Sequence, residues 1–230
     1  MVRIYCIYIT EKMTKTILLT LTYLVGIGDL ILAIYFWVTN SKNEIRRVLG
    51  LAFFAVAMWG ITNTQTRIES TFIGLLPYVF GPLALTSILH FSIIYPLRKF
   101  SFDKLHAGFL YIIWLLFSYL VIGTKTVIID VFSRNGASYT TPGPLFFLFN
   151  IYLGILFVGT LIILVSKFKN LDGMYRQNVK IAFWSILIGG LPGIYFAVFH
   201  FAKDLPYNYL YGPIGTIIWP ITTLYVVKRK

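Results

Sequence analysis

Seven apolar runs, covering roughly residues 16–38, 48–64, 72–95, 106–124, 144–166, 181–200 and 209–227, leave this chain few folds to choose from. At about 1.5 Å of rise per residue, about 20 apolar residues cross the hydrocarbon core of a bilayer, where only helices and closed barrels satisfy their own backbone. Continuous runs of this length predict an all-α, polytopic bundle of seven transmembrane helices, a single membrane domain over residues 1–230 of a multi-pass protein of the cell membrane. The second run is the shortest and ends in the polar stretch ITNTQTRIES, so it spans only if Arg47 and Arg67 snorkel to the interfaces. A cleaved signal peptide is the rival reading of residues 13–38. That run exceeds the usual apolar core of about 7 to 15 residues and has no small-residue cleavage site. Met13 competes with Met1 as the start of translation.

Composition agrees with the runs. Charged residues are 12% of the chain and hydrophobic ones 58%, whereas soluble domains carry about 25% charge. The formal charge of +12 sits in short basic clusters between the runs, which argues against nucleic-acid binding and for membrane orientation. With the amino terminus outside, thirteen lysines and arginines fall on the cytoplasmic side against seven outside, so the carboxyl terminus is expected in the cytoplasm. Cys6 is the only cysteine, which excludes an intramolecular disulfide and a cysteine metal site.

The stretch Gly81 to Lys99, GPLALTSILHFSIIYPLRK, joins an apolar helix, a small polar face and a breaker. Thr86, Ser87 and His90 share one helical face, which should point into the bundle, with His90 bonding Thr86 or the backbone. Pro96 and the basic pair after it end the helix at an interface. The longest loop, residues 125–143, mixes a short apolar piece with the turn formers Asn135-Gly136 and Pro142-Gly143, and is expected to form an interfacial lid.

Four features together resemble the amino-terminal seven-transmembrane region of bacterial sensor histidine kinases. These are Trp59 in FFAVAMWGI; His90-Phe91 with Pro96 closing the third helix; Arg176-Gln177 leading to Trp184 and Gly189 in YRQNVKIAFWSILIGG; and Pro220 in IIWPITTLYVVKRK. The resemblance covers about residues 16–230 and implies a sensory role in a two-component system, with a histidine kinase or other output domain as cytoplasmic partner. Such kinases continue into a phosphoacceptor helix and an ATP-binding domain. These 230 residues contain neither, nor a glycine-rich phosphate loop, so the chain is either the sensor part of something longer or a module whose partner is separate.

Asp29 is the only acidic residue deep in a run. Its burial costs about 2.5 to 3.5 kcal/mol on insertion scales, so a compensating interaction is expected. Thr22, Gly26 and Ala33 line its face as a small-residue seam, and the residue is either a proton or ligand switch or a hydrogen-bonding link between helices. Asn150 reads as an inter-helix hydrogen-bonding group. The helix-six series Gly189, Gly190, Pro192, Gly193 and the helix-seven series Gly212, Pro213, Gly215, Pro220 supply hinges. His90, His106 and His200 are spread over separate helices and predict no metal site, and nothing predicts a cofactor.

Two functions follow: a signal-input module for a small ligand or a membrane signal, or a small multi-pass transporter or channel subunit. Transport is disfavoured because Asp29 is a lone intramembrane charge. A retinal photoreceptor is excluded because the last run has no lysine, and no catalytic constellation points to an enzyme. A small ligand is expected in an outward-opening cavity between helices one, two, three and five, lined by Asp29, Trp59, Asn63 and Tyr78, with His90, Pro96, Arg176, Gln177, Pro192 and Pro220 as structural or switching residues.

Overall fold

The computed structural model describes residues 2–39, 42–65, 71–97, 102–134, 137–198 and 208–228. Helices dominate: α1 (Val2–Thr39), α2 (Glu44–Thr64), α3 (Thr71–Leu75), α4 (Pro77–Ile94), α5 (Lys104–Gly123), α6 (Phe146–Asn170), α7 (Gly173–Val198), α8 (Asn208–Gly215) and α9 (Ile218–Lys228), with β1 (Ile128–Arg134) and β2 (Ala137–Pro142) between α5 and α6. Among the described residues, five helical segments are long and apolar enough to cross a membrane: Met13–Thr39, Glu44–Thr64, Phe72–Ile94, Lys104–Gly123 and Phe146–Asn170.

Local chemistry sets the boundaries. Asn43 caps α2 by accepting from Arg46 N–H, and Glu44 complements the positive helix start, so α2 begins four residues before the apolar run and gains the length that the run lacked. Pro77 occupies the first turn of α4, where a missing N–H is tolerated, and this divides the third run into α3 and α4. Asp103 caps α5. The last run is divided too: Thr216 and Ile217 form a turn between α8 and α9, with Pro213 inside α8 and Pro220 in the first turn of α9. The sixth run lies in α7, and its end at His200 is outside the described residues.

α4 is the centre of the bundle. Its span is 61% buried, against 11% for α5, because α2, α5 and α6 pack around it. α1 runs antiparallel to α2: Phe36 stacks on Phe53, Gly26 abuts Ala57 and Ile61, and Gly50 leaves room for Trp37, whose indole N–H donates to Arg47 O. The apolar side chains left exposed, such as Ile27 and Ile31 on α1 or Phe109 and Leu116 on α5, are the faces turned to lipid in a membrane reading.

Within the stretch expected to form an interfacial lid, β1 and β2 pair as an antiparallel hairpin, with Phe132 opposite Tyr139. Ile128 pairs with Pro142 and Arg134 with Ala137, and the register shifts between Ile128 and Asp130. The hairpin docks on the start of the third span: Val131 packs against Gly74, and the Thr140 and Tyr78 hydroxyls hydrogen-bond.

Candidate functional site

The buried stripe of α1 is Thr22, Val25, Gly26, Asp29, Ala33 and Phe36, a helical period that faces α2 and α8. Asp29 is fully enclosed, and neither of its carboxyl oxygens has a hydrogen-bond partner among the described residues. Thr22, the polar residue nearest on its seam, donates instead to Leu18 O at 2.8 Å. Of the two readings of Asp29, the inter-helix hydrogen bond is not seen among the described residues.

Trp59 sits in a cradle of glycines. An added Cβ on Gly81, Gly193 or Gly212 would come within 3.5, 2.9 and 3.0 Å of its ring, so α4, α7 and α8 all approach the indole through residues without side chains. Asn63, one turn away, donates to Trp59 O at 3.0 Å. Trp59 and Asn63 are thus brought together, while Tyr78 is directed at the hairpin and at Phe149, and Asp29 belongs to the seam between α1 and α2. Asn150 Oδ1, expected to bridge helices, has no partner among the described residues.

On α4, Thr86, Ser87 and His90 are buried. Thr86 pairs with the Tyr152 hydroxyl at 3.0 Å, not with His90. The imidazole is held elsewhere: Nδ1 lies 3.2 Å from the Tyr111 hydroxyl of α5, and Nε2 faces Glu44 of α2 at 3.8 Å. Beyond it, the helix ends at a cis Tyr95-Pro96 bond. Lys167 of α6, itself buried, donates to the carbonyls of Ile93, Tyr95 and Leu97 at 2.6, 2.7 and 2.8 Å. Those carbonyls have lost their helical donors, and an ammonium with three N–H groups replaces them. Asn178 of α7 hydrogen-bonds the Tyr95 hydroxyl, which ties a third helix to the same corner.

Lys167 is one of the thirteen basic residues expected on the cytoplasmic side, and that expectation does not foresee its burial. The signal that would have moved it inward is periodic: Phe149, Leu153, Leu156, Thr160 and Leu164 form the buried stripe of α6, and Lys167 is the next position on it.

The last two helices lock onto α7 near their break. The Trp219 indole N–H donates to Ser185 O at 2.9 Å, and the Ser185 and Thr222 hydroxyls are 2.5 Å apart. Gly189 is pressed against Trp219 and Gly215, and Pro192 packs on Gly215. A mostly apolar cavity of about 50 Å³ lies between α2, α4, α7 and α9, with Phe53, Ile88, Phe91, Ile186, Trp219 and Thr222 on its wall. None of the four residues expected to line a ligand cavity lines this one. Arg176 and Gln177 are exposed in the first turns of α7, as is Trp184 farther along it. Among the described residues, no cluster of three His, Cys, Asp or Glu side chains is placed to hold a metal ion. No protein-family model matches this chain, and no curated protein matches its sequence.

Proposed function

We propose that this chain is a membrane-embedded signal-input module of seven crossings, with its amino terminus outside, that passes a small-ligand or membrane signal through its last helix to a cytoplasmic output partner such as a histidine kinase. Taking α7 and the α8–α9 pair as crossings beside the five long apolar segments gives the seven. The observation that carries the reading is the divided last helix. α9 begins again after the Thr216–Ile217 turn and is anchored to α7 by Trp219, while glycine contacts let α8 lie close against α7 and Trp59. A rod interrupted by a turn and packed through small residues can change angle without unpacking large side chains. Three residues of the kinase-sensor resemblance fall near this region: Trp59 contacts α7 and α8, Gly189 is pressed against Trp219, and Pro220 opens α9.

The test joins residue 230 to the output region of a histidine kinase in reconstituted vesicles. Phosphorylation should change when Trp219→Ala or Pro220→Ala alters the joint; indifference to both substitutions counts against a signalling role. Reporter fusions should read cytoplasmic after Lys230 and in residues 39–47, and external within 125–143. A small transporter or channel subunit is the second reading, favoured by an enclosed carboxyl with no hydrogen bond among the described residues, inside a bundle that contains a divided helix. Ion flux from the same vesicles separates the two.

A further inference from the structure

Asp29 and the break between α8 and α9 lie at one depth in the bundle. Along α2, Phe36 packs on Phe53 and Gly26 on Ala57 and Ile61, which sets Asp29 near Val56 and Ala57. On the α8 side, Pro213 reaches Gly60 and Gly212 reaches Trp59, while Trp219 and Thr222 share a cavity wall with Ala52 and Phe53. Thr216 and Ile217 therefore also fall level with Val56 and Ala57. Thr22 closes the triangle, since an added Cβ on Gly60 would meet both Pro213 and Thr22.

At that depth the helical ladder is irregular. Thr216 N–H donates to Pro213 O at 3.1 Å, Ile217 N–H to Ile214 O at 3.2 Å and Trp219 N–H to Thr216 O at 2.9 Å, all three-residue steps that turn carbonyls away from the regular axis. The Thr216 hydroxyl is buried there and donates to Pro213 O at 2.6 Å, leaving its own lone pairs to accept. A fully enclosed carboxyl whose two oxygens have no hydrogen-bond partner among the described residues thus lies level with the break, on the face of α1 that packs against α2 and α8. It is the only charged residue within 16–39, 48–64 and 208–227, so no cationic side chain of these segments can answer it; the other titratable groups there are tyrosines 23, 35, 209, 211 and 225.

We infer that Asp29, with the oxygens of the α8–α9 break, forms a binding site for one small monovalent cation, a proton or an alkali ion, whose occupancy sets the angle between α8 and α9. Neither large ions nor anions suit a seam closed by Gly26, Ala33 and Gly60. Oxygen ligands from a carboxylate, a hydroxyl and unwound carbonyls are the chemistry that holds such cations in membrane bundles. The site stands whether the last helix reports to a kinase or to a transport cycle.

The full chain in nanodiscs carries the test. Melting temperature is followed as sodium chloride replaces choline chloride at fixed pH, and as pH falls at fixed ionic strength, for wild type and Asp29→Asn. Wild type should show a saturable upward shift in at least one titration, and the variant should lose it. A sodium response assigns an alkali ion; an acid response alone assigns a proton. If Asp29→Asn and wild type respond alike in both titrations, or wild type responds in neither, the site does not exist. Should Asp29→Asn fail to fold, infrared difference spectra of the wild-type aspartate carboxyl across the same titrations replace it, and an unchanged carboxyl band overturns the proposal.

Discussion

Asp29 and Lys167 are both buried in this bundle, and they have opposite surroundings. Lys167 meets three carbonyls within 2.8 Å, whereas both oxygens of Asp29 lack a hydrogen-bond partner among the described residues. A buried charge with its hydrogen bonds made holds structure, and one without them is retained for another reason, because evolution can replace it by an apolar residue at little structural cost. The lysine fixes the exit of the central helix. The aspartate lies level with a helix that is divided, so the rigid and the adjustable parts of the bundle are marked by the way each charge is treated.

The largest effect should come from breaking the satisfied side of this contrast. Lys167→Met keeps most of the stem but strands the carbonyls of Ile93, Tyr95 and Leu97, and should cost about 3 kcal/mol of stability in detergent unfolding. A loss no greater than that of a surface lysine would show that water replaces the ammonium and that the corner is not fixed by it. Next comes the joint itself. Gly189→Ala would bring a Cβ to 2.3 Å from Trp219 Nε1, so the indole must leave Ser185 or the helices must part, at about 1 to 3 kcal/mol. Trp219 fluorescence in a variant lacking the other tryptophans should shift with it. An unshifted spectrum would mean that the joint already has slack.

The helical class and the five long spans were legible because apolar length survives any rearrangement of side chains. The buried face of Thr86, Ser87 and His90 was legible from spacing alone. Partners were not: His90 turned to Tyr111 and Glu44, both far away in sequence, and Thr86 to Tyr152. Helical period says which face is inward but not which neighbour rotates toward it. The hairpin was hidden because its first strand is a short, mostly apolar piece without alternation, which periodicity cannot tell from a helix segment. The ligand cavity was argued from polar residues at similar depth, and depth does not fix azimuth: Tyr78 points to the hairpin while Trp59 points into α7 and α8. The burial of Lys167 was not legible because charge near a run end usually marks an interface, and the carbonyls it meets are far away in sequence.

Asp29→Asn sharpens the contrast from its other side. With no hydrogen bond to lose, the amide should change stability by less than about 0.5 kcal/mol in the absence of the cation, close to the level of an ordinary neutral substitution. A loss as large as that of Lys167→Met would mean that Asp29 has a structural partner after all, and the contrast would disappear.

The smallest effect is expected at Asp103, an exposed carboxylate that is fully partnered and so reverses the case of Asp29. It accepts from Leu105 N–H at 3.0 Å and His106 N–H at 3.1 Å, and lies 2.7 Å from the His106 ring. The His106 backbone N–H, then its side chain, hold the Asp103 carboxyl below its ordinary value of 3.8. A carboxylate with a depressed pKa stabilises the fold at pH above the unfolded value and loses that contribution as pH falls through the folded one. The first turn of α5 should therefore stay capped near neutrality and fray only in acid below the ordinary carboxylate value, read as faster hydrogen exchange at the Leu105 and His106 amides. Asp103→Asn keeps a capping oxygen and should remove the acid dependence while preserving protection at neutral pH; Asp103→Ala should lose protection at every pH. Protection that instead grew as the pH fell would reverse the sign and show that the cap is not made by the carboxylate.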